Sequence, residues 1–262
     1  MPMDAPPAGG EAPAIRAVGL QKTFGPIRAV DDVTFDLAPG HIYGLLGPNG
    51  SGKTTLIRLL TGLARATKGS AEVLGTPMPS RTTLGRIGYM TQSDGIYPAL
   101  SAGENVRFFA SMYGVAASGA VDEALSVVDL ADRRDSLTGT LSGGQRRRLS
   151  LACAIVHRPP VLFLDEPTVG VDPLLRVQFW SYFRTLAEGG ATIVVSSHVM
   201  DEADRCDDLL FVRAGQVIAR GSGAELRERS GTTSLEQAFL LFAGDAEAGG
   251  DAAAAGDAGV AR

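Results

Sequence analysis

The segment GPNGSGKTT at residues 47–55 has the residue types and the spacing of a loop that binds phosphate groups. It matches the pattern GxxxxGK(S/T), in which backbone amides cradle the phosphates. Lys53 would place a positive charge against the β- and γ-phosphates of a nucleotide, and the Thr54 hydroxyl would ligate Mg²⁺, which prefers oxygen. The residues predicted to hold the nucleotide are Gly47, Pro48, Asn49, Gly50, Ser51, Gly52, Lys53, Thr54 and Thr55.

A second segment, LSGGQRRRLSLACAIV at residues 141–156, also begins like a helix that holds an anion. A serine and two glycines precede an apolar stripe at helical spacing. The exposed amides and the positive dipole end of that helix would point outward. One nucleotide hardly needs two such sites, so the residues alone leave open which anion this segment holds. The stripe consists of Leu149, Ala152, Cys153 and Val156.

Four short apolar runs predict parallel strands buried on both faces. They are IYGLL, RIGYM, VLFLD and TIVVS, at residues 42–46, 86–90, 161–165 and 192–196. Three of the runs are separated from the next by helical patterns. The runs lead into the phosphate loop, Gln92, Glu166 and His198, respectively. Because ligands of open α/β sheets bind beyond the carboxyl ends of the strands, we expect these polar groups to share one crevice.

Each polar residue in this predicted crevice suits a step of phosphoryl transfer to water. Asp165 ends an apolar run and would face the metal, while Glu166 would orient or deprotonate the attacking water. Gln92 would hold that water or the metal, and His198 would donate to the γ-phosphate. Taken singly, the two carboxylates could end an ordinary strand and the histidine could be structural. Their joint occurrence after separate strands favours a catalytic site.

Composition narrows the class of protein. The 262 residues suffice for one large α/β domain or two small ones, and 24 Lys and Arg against 29 Asp and Glu give a net charge of −5. This balance argues against nucleic acid as a partner. Cys153 and Cys206 form neither a CxxC pair nor a disulfide framework, which indicates a reducing compartment. Cys153 is expected to be a small buried residue of a helix.

The ordered set GPNGSGKTT, Gln92, LSGGQ, VLFLDEP, GVD and SSH resembles the nucleotide-binding subunits of ABC transporters over about residues 14–243. The resemblance implies an α/β fold with a phosphate-loop NTPase core and a mostly parallel sheet. It also implies a small N-terminal antiparallel β subdomain and an inserted helical subdomain at about residues 95–160. The implied cofactors are ATP and Mg²⁺, and the implied reaction is ATP hydrolysis coupled to transport. Residues 1–13 and 244–262 are expected to be disordered tails.

The same resemblance implies roles for residues outside the crevice. Phe24 would stack on the adenine, with ordinary packing as the alternative. Asp172 would belong to a loop across the subunit boundary, or else be a turn residue before Pro173. The second anion would be the γ-phosphate of ATP held by another subunit, so that two chains sandwich two ATP molecules. The residues that would meet the partner's ATP are Ser142, Gly143, Gly144 and Gln145.

The implied partners are a second ATP-binding subunit, expected to be an identical chain, and a separate integral membrane subunit. The segments YMTQSDGIYPALSAGENVRFFASMYGV and TVGVDPLLR are similar to those of export-type ATPase subunits. The chain is therefore expected at the cytoplasmic face of the plasma membrane. The residues placed where a membrane partner would dock are Tyr97, Phe108, Phe109 and Tyr113, with core packing as the alternative.

Two other readings remain open. A soluble ABC-type translation or repair factor would usually carry two nucleotide domains or a long coiled-coil insertion, neither of which the sequence has. A regulator without turnover would tend to lack Glu166.

The run Arg146–Arg148 is expected to be a solvated, ion-paired face of its helix and not a nucleic-acid site. The resemblance implies that the membrane partner, and not this chain, selects the transported substrate.

Overall fold

The computed structural model describes residues 12–93, 95–115 and 118–257. These residues contain ten β-strands and eight α-helices, joined by loops and short 3-10 turns. The strands are β1 (Ile15–Phe24), β2 (Ile27–Leu37), β3 (Ile42–Leu46), β4 (Lys68–Val73), β5 (Thr76–Pro77), β6 (Ile87–Met90), β7 (Val161–Asp165), β8 (Thr192–Ser197), β9 (Asp208–Arg213) and β10 (Gln216–Gly221). The helices are α1 (Lys53–Leu60), α2 (Arg81–Leu84), α3 (Ala102–Met112), α4 (Ser118–Val127), α5 (Gly143–Ile155), α6 (Pro173–Glu188), α7 (Gly223–Ser230) and α8 (Leu235–Asp257).

The smaller of the two sheets is antiparallel throughout and has the strand order β2-β1-β4-β5. In the second half of β2, Val33, Phe35 and Leu37 are buried at every other position, because successive side chains of a strand point to opposite faces. These residues share one apolar cluster with Leu56 and Leu60 of α1. The sheet therefore forms the predicted N-terminal antiparallel subdomain and is packed onto the helix that follows the phosphate loop.

The larger sheet has the order β10-β9-β3-β8-β7-β6 and is parallel except for the edge strand β10. Every residue of β3, β7 and β8 is buried, which explains why these strands read as continuous apolar runs. All four predicted strands are present, with β6 starting at Ile87 and β8 ending at Ser197, each one residue from the predicted limit. The neighbouring strands β3, β8, β7 and β6 thus bring their carboxyl ends to one edge.

Helices α3, α4 and α5 pack together within the predicted insertion at residues 95–160. Their contact buries Val106, Leu125, Leu149 and Cys153 in the largest apolar cluster. Cys153 is 3% exposed, and burial raises its pKa above the usual thiol value. It is the small buried residue that the helical spacing predicts.

The C-terminal helices α7 and α8 pack on β9 through Phe211, Leu226 and Phe239. Residues 244–257 were expected to be disordered, whereas α8 continues as a helix to Asp257, because alanine has the highest helix propensity. The predicted disorder of residues 1–11 and 258–262 lies outside the described part of the chain. Among the described helices, none has both the length and the apolarity to cross a membrane.

Candidate nucleotide-binding site

The phosphate loop connects β3 to α1 and is pressed against neighbouring backbone. A Cβ added at Gly47 would lie 2.0 Å from the Val212 carbonyl oxygen, and one at Gly52 would lie 2.3 Å from that of Ala29. Gly52, which caps α1, also has a φ of 108°, a conformation that L-residues with a side chain rarely adopt. The two glycines are therefore required by the shape of the loop, independently of any ligand.

Lys53 lies inside this loop. Its Nζ donates to the carbonyl oxygens of Gly47 at 2.7 Å and Pro48 at 2.9 Å, and the residue is 5% exposed. Burial lowers the pKa of Lys53, while the carboxylates of Glu166 and Asp165 act in the opposite direction. The amine is thus held inside the curve of the loop, where its partners are backbone carbonyl oxygens.

An open cavity of about 420 Å³ lies over the phosphate loop. This volume is within the range of roughly 300–1,000 Å³ that is typical of small-molecule sites. Gln92 and Glu166 line it together with the loop, so three of the four groups expected from the strand ends share this crevice. The lining residues are Ile27, Arg28, Ala29, Asn49, Gly50, Ser51, Gly52, Lys53, Thr54, Thr55, Gln92, Glu166, Ala214 and Gly215.

Phe24 lies next to this cavity without lining it. It ends β1 and is paired with Ile27, which does line the cavity, and its side chain is 52% exposed. The Lys22 ammonium sits 4.9 Å from the centre of its ring. An exposed ring at the rim does not pack in the core, which leaves it available for stacking on a base.

Asp165 ends β7 and is fully buried. Its Oδ1 accepts a 2.5 Å hydrogen bond from the Ser196 hydroxyl, but no described residue donates to Oδ2. A buried acceptor without a donor is costly, and a hydrated cation at the phosphate loop would satisfy it. Oxygen atoms of Asp165 and Thr54 are ligands that Mg²⁺ prefers, so these residues fit the predicted metal.

Glu166 has a backbone φ of 55°, in the left-handed region. Such a conformation costs about 1–3 kcal/mol for a residue with a side chain and persists only where the surroundings enforce it. Here the backbone N–H donates to the Ser196 carbonyl and hydroxyl oxygens, both at 3.1 Å. Glu166 Oε1 is 3.2 Å from His198 Nδ1. The carboxylate and the imidazole, predicted from separate strands, are therefore in contact, although His198 is not among the described residues that line the cavity.

The start of α5 is an exposed helix end that carries a capping box. The Ser142 hydroxyl accepts from the Gln145 N–H at 3.2 Å, and Gln145 Oε1 accepts from the Ser142 N–H at 2.9 Å. Ser142 and Gly143 are exposed to solvent. This segment is not among the described residues that line the cavity over Lys53. The two predicted anion sites are thus separate places on one chain.

Residues 30–169 match the family model described as ABC transporter. This chain belongs to the ABC transporter family. It is 40% identical over 215 residues to the Nod factor export ATP-binding protein I of Burkholderia orbicola, covering 80% of this chain and 71% of that protein. It is also 40% identical over 242 residues to the probable multidrug ABC transporter ATP-binding protein YbhF of Escherichia coli (strain K12). That alignment covers 88% of this chain and spans 42% of YbhF.

Solved structures agree with this membership and confirm the predicted fold class. One described as the ATP binding subunit of an ABC transporter superposes with a TM-score of 0.81 at 25% identity, over 88% of this chain and 99% of the other. The dimeric structure of MJ0796, a bacterial ABC transporter cassette, gives a TM-score of 0.72 at 26% identity, over 79% and 98%. The chain carries the ATPase domain of the ABC family.

Within this ABC domain, Asp172 is the N-cap of α6. Its Oδ1 accepts from the Leu175 N–H at 3.0 Å, and Pro173 occupies the first helical position. The side chain is exposed, so the cap leaves it at the surface. This local role is close to the turn residue considered from the sequence, and a role at a subunit boundary stays a prediction.

Arg147 was assigned wrongly from the sequence. Only 8% of it is exposed, and its guanidinium donates to backbone carbonyl oxygens, whereas a solvated ion-paired face was expected. Arg148 does pair with Asp129, at 3.3 Å. The helical spacing carried the missed signal, since the buried Leu151 lies four residues beyond Arg147 on the same face. Ser196 was also missed, although it lies within the SSH motif.

Proposed function

We propose that this chain is an ATP-hydrolysing subunit that dimerises around two ATP molecules and drives export through a separate membrane-spanning partner. The observation that supports the proposal is that two segments suited to bind an anion lie at separate places on one chain. Lys53 lies in one of them, and the exposed start of α5 at Ser142 is the other. A second copy of the chain would place its Ser142 segment against the phosphate that the first copy holds.

The residues in and next to the cavity would have different roles in hydrolysis. Thr54, Asp165 and Gln92 would hold Mg²⁺, which neutralises charge on the phosphates when it is bound. Glu166 would orient and deprotonate a water, with its own position fixed through Ser196. His198, in contact with Glu166, would donate to the γ-phosphate. Phe24 would stack on the adenine at the rim.

A homodimer is the expected assembly, because each chain has both halves of a composite site. The similar cassette MJ0796 is described as dimeric. Asp172 would lie at the boundary between the subunits, as an exposed residue at the start of α6. A C2 axis would pair the two anion sites reciprocally and close the assembly at two chains.

Export through a membrane partner is supported by the names of the relatives, one of which is a Nod factor export protein and one a probable multidrug transporter protein. An exposed aromatic pair supports the place of docking. Tyr97 and Phe108 are 47% and 39% exposed, with ring centres 4.9 Å apart. The buried Asn105 accepts from the Tyr97 N–H and donates to the Tyr97 carbonyl, which fixes the loop. Such a patch is typical of an interaction surface.

The other two aromatic residues of that group serve packing. Phe109 is partly buried against the large cluster, and Tyr113 stacks on His157 with ring centres 3.6 Å apart. Docking is therefore assigned to Tyr97 and Phe108. The chain would then act at the cytoplasmic face of the plasma membrane. A soluble translation or repair factor is the weaker alternative, since the matched relatives are transporter proteins.

The Glu166→Gln variant tests the ATP-dependent dimer. Glutamine keeps the shape of the side chain and removes the carboxylate that would activate water, so ATP is expected to bind and to remain uncleaved. Turnover should fall by at least about 100-fold, and the purified variant should elute as a dimer with ATP and Mg²⁺. With ADP in place of ATP, Glu166→Gln should remain monomeric. The matched Lys53→Ala/Glu166→Gln variant should remain monomeric with ATP. Full hydrolysis by Glu166→Gln would refute the assignment of the base.

A further inference from the structure

The guanidinium of Arg147 joins three parts of the site. From its position on α5, Nη1 donates to the carbonyl oxygens of Thr91 at 2.9 Å and Gln92 at 2.6 Å. Nη2 donates to the carbonyl oxygens of Asp165 and, at 2.8 Å, Glu166. One side chain thus binds the loop after β6 and the end of β7, which carry the predicted water-holding residue, metal ligand and base.

This arrangement depends on the shape of arginine. A buried charge is tolerated when it is hydrogen-bonded, and the planar guanidinium of Arg147 directs each of its two terminal nitrogens to two carbonyl oxygens. Lysine has a single nitrogen at the end of its chain and cannot span both backbone segments at once. The contacts of Arg147 are therefore specific to the guanidinium fork and are not a general effect of positive charge.

The neighbouring arginines have different contacts. Arg148 donates to the carbonyl oxygens of Val128 and Asp129, both at 2.8 Å, and so stays within the helical insertion. Arg146 donates to the Leu141 carbonyl at 2.7 Å, next to the start of its own helix. Of these contacts, those of Arg147 reach across to the catalytic edge of the sheet.

We infer that Arg147 is a positioning residue that aligns Gln92 and Glu166 of its own chain with the start of α5; this inference rests on the proposed function. The Glu166 carbonyl that it binds belongs to the residue with the left-handed backbone. Ser196 fixes the N–H side of that residue and Arg147 fixes the carbonyl side. When the Ser142 segment meets the partner's ATP, Arg147 keeps α5 and Glu166 of the same chain in a fixed relative position.

The Arg147→Lys substitution tests this inference, because it keeps the charge and removes the fork. Misplacement by about 1 Å can cost on the order of 100-fold in rate, so we expect kcat to fall at least about 10-fold with KM for ATP unchanged within about 2-fold. In the Glu166→Gln background, Arg147→Lys should leave the concentration at which the ATP-bound dimer forms unchanged within about 3-fold. Arg148→Lys is the matched control and should keep kcat within about 2-fold of the original chain.

The outcomes separate the inference from the proposed function. If the Arg147→Lys/Glu166→Gln variant loses the ATP-bound dimer or fails to fold, Arg147 supports the helix itself and the inference is overturned. An unchanged kcat in Arg147→Lys also overturns it. If Glu166→Gln alone forms no ATP-bound dimer, the proposed function fails whatever Arg147 does, and the kcat of the single variants still decides whether Arg147 positions the base.

Discussion

Asp165 carries one satisfied and one unsatisfied carboxylate oxygen in a fully buried position. Ser196 donates to Oδ1, while Oδ2 has no donor among the described residues. Lys53 contributes positive charge nearby, since the Asp165 carboxylate acts to raise the pKa of Lys53. At the scale of single residues, the site is therefore arranged around an oxygen that a hydrated Mg²⁺ would complete.

The Asp165→Asn substitution tests this metal assignment. Asparagine keeps the shape and an acceptor for Ser196 but removes the negative charge. We expect the Mg²⁺ concentration for half-maximal hydrolysis to rise about 10-fold or more, and the rate at saturating Mg²⁺ to fall about 100-fold. A magnesium titration of ATPase activity measures both, with Asp132→Asn, whose side chain is 77% exposed, as the control. An unchanged magnesium dependence in Asp165→Asn would remove this residue from the metal site.

The strands were the most predictable elements, because apolar runs buried on both faces leave few other structures open to them. Their carboxyl ends also predicted that Glu166 and His198 would meet. Arg147 escaped prediction because a run of three arginines usually faces solvent, and only the packing of α5 against the sheet turns one of them inward. The helical state of residues 244–257 was missed because their composition resembles that of disordered tails.

The aromatic pair of Tyr97, in the loop before α3, and Phe108, within α3, gives a prediction at the scale of this element. Tyr97→Arg places a charge on the exposed ring position, so it should weaken docking on a membrane partner without disturbing the cavity. We expect the fraction of chain that sediments with membranes containing the partner to fall about 10-fold, the effect of losing one interface hot spot. ATPase activity of the purified chain should stay within about 2-fold.

The matched control for this substitution is Leu240→Arg, which changes an apolar side chain of α8 that is 63% exposed. It should sediment with membranes like the original chain. Equal sedimentation of Tyr97→Arg and Leu240→Arg would show that the aromatic pair is not the docking site.

At the scale of the whole molecule, the proposal gives each chain one half of each of two composite sites. The cavity over Lys53 is lined by Thr54, Gln92 and Glu166, while the Ser142 segment presents a capped helix end at another place on the surface. The sequence predicted both halves from their local patterns. How they combine could not be derived from the residues alone, because the proposed pairing is between two chains and was predicted only from the family resemblance.

A mixture of two variants tests the shared site most directly. Lys53→Ala damages the phosphate loop of its own chain, and Ser142→Arg blocks the helix start offered to a partner, so each protein alone should be weakly active. A mixed dimer has one site with both defects and one with neither. Random association should therefore restore up to about a quarter of the normal rate, or tight ATP occlusion at one site if turnover needs both. If tagged pull-down shows mixed dimers but neither hydrolysis nor occlusion recovers, the shared-site account is contradicted.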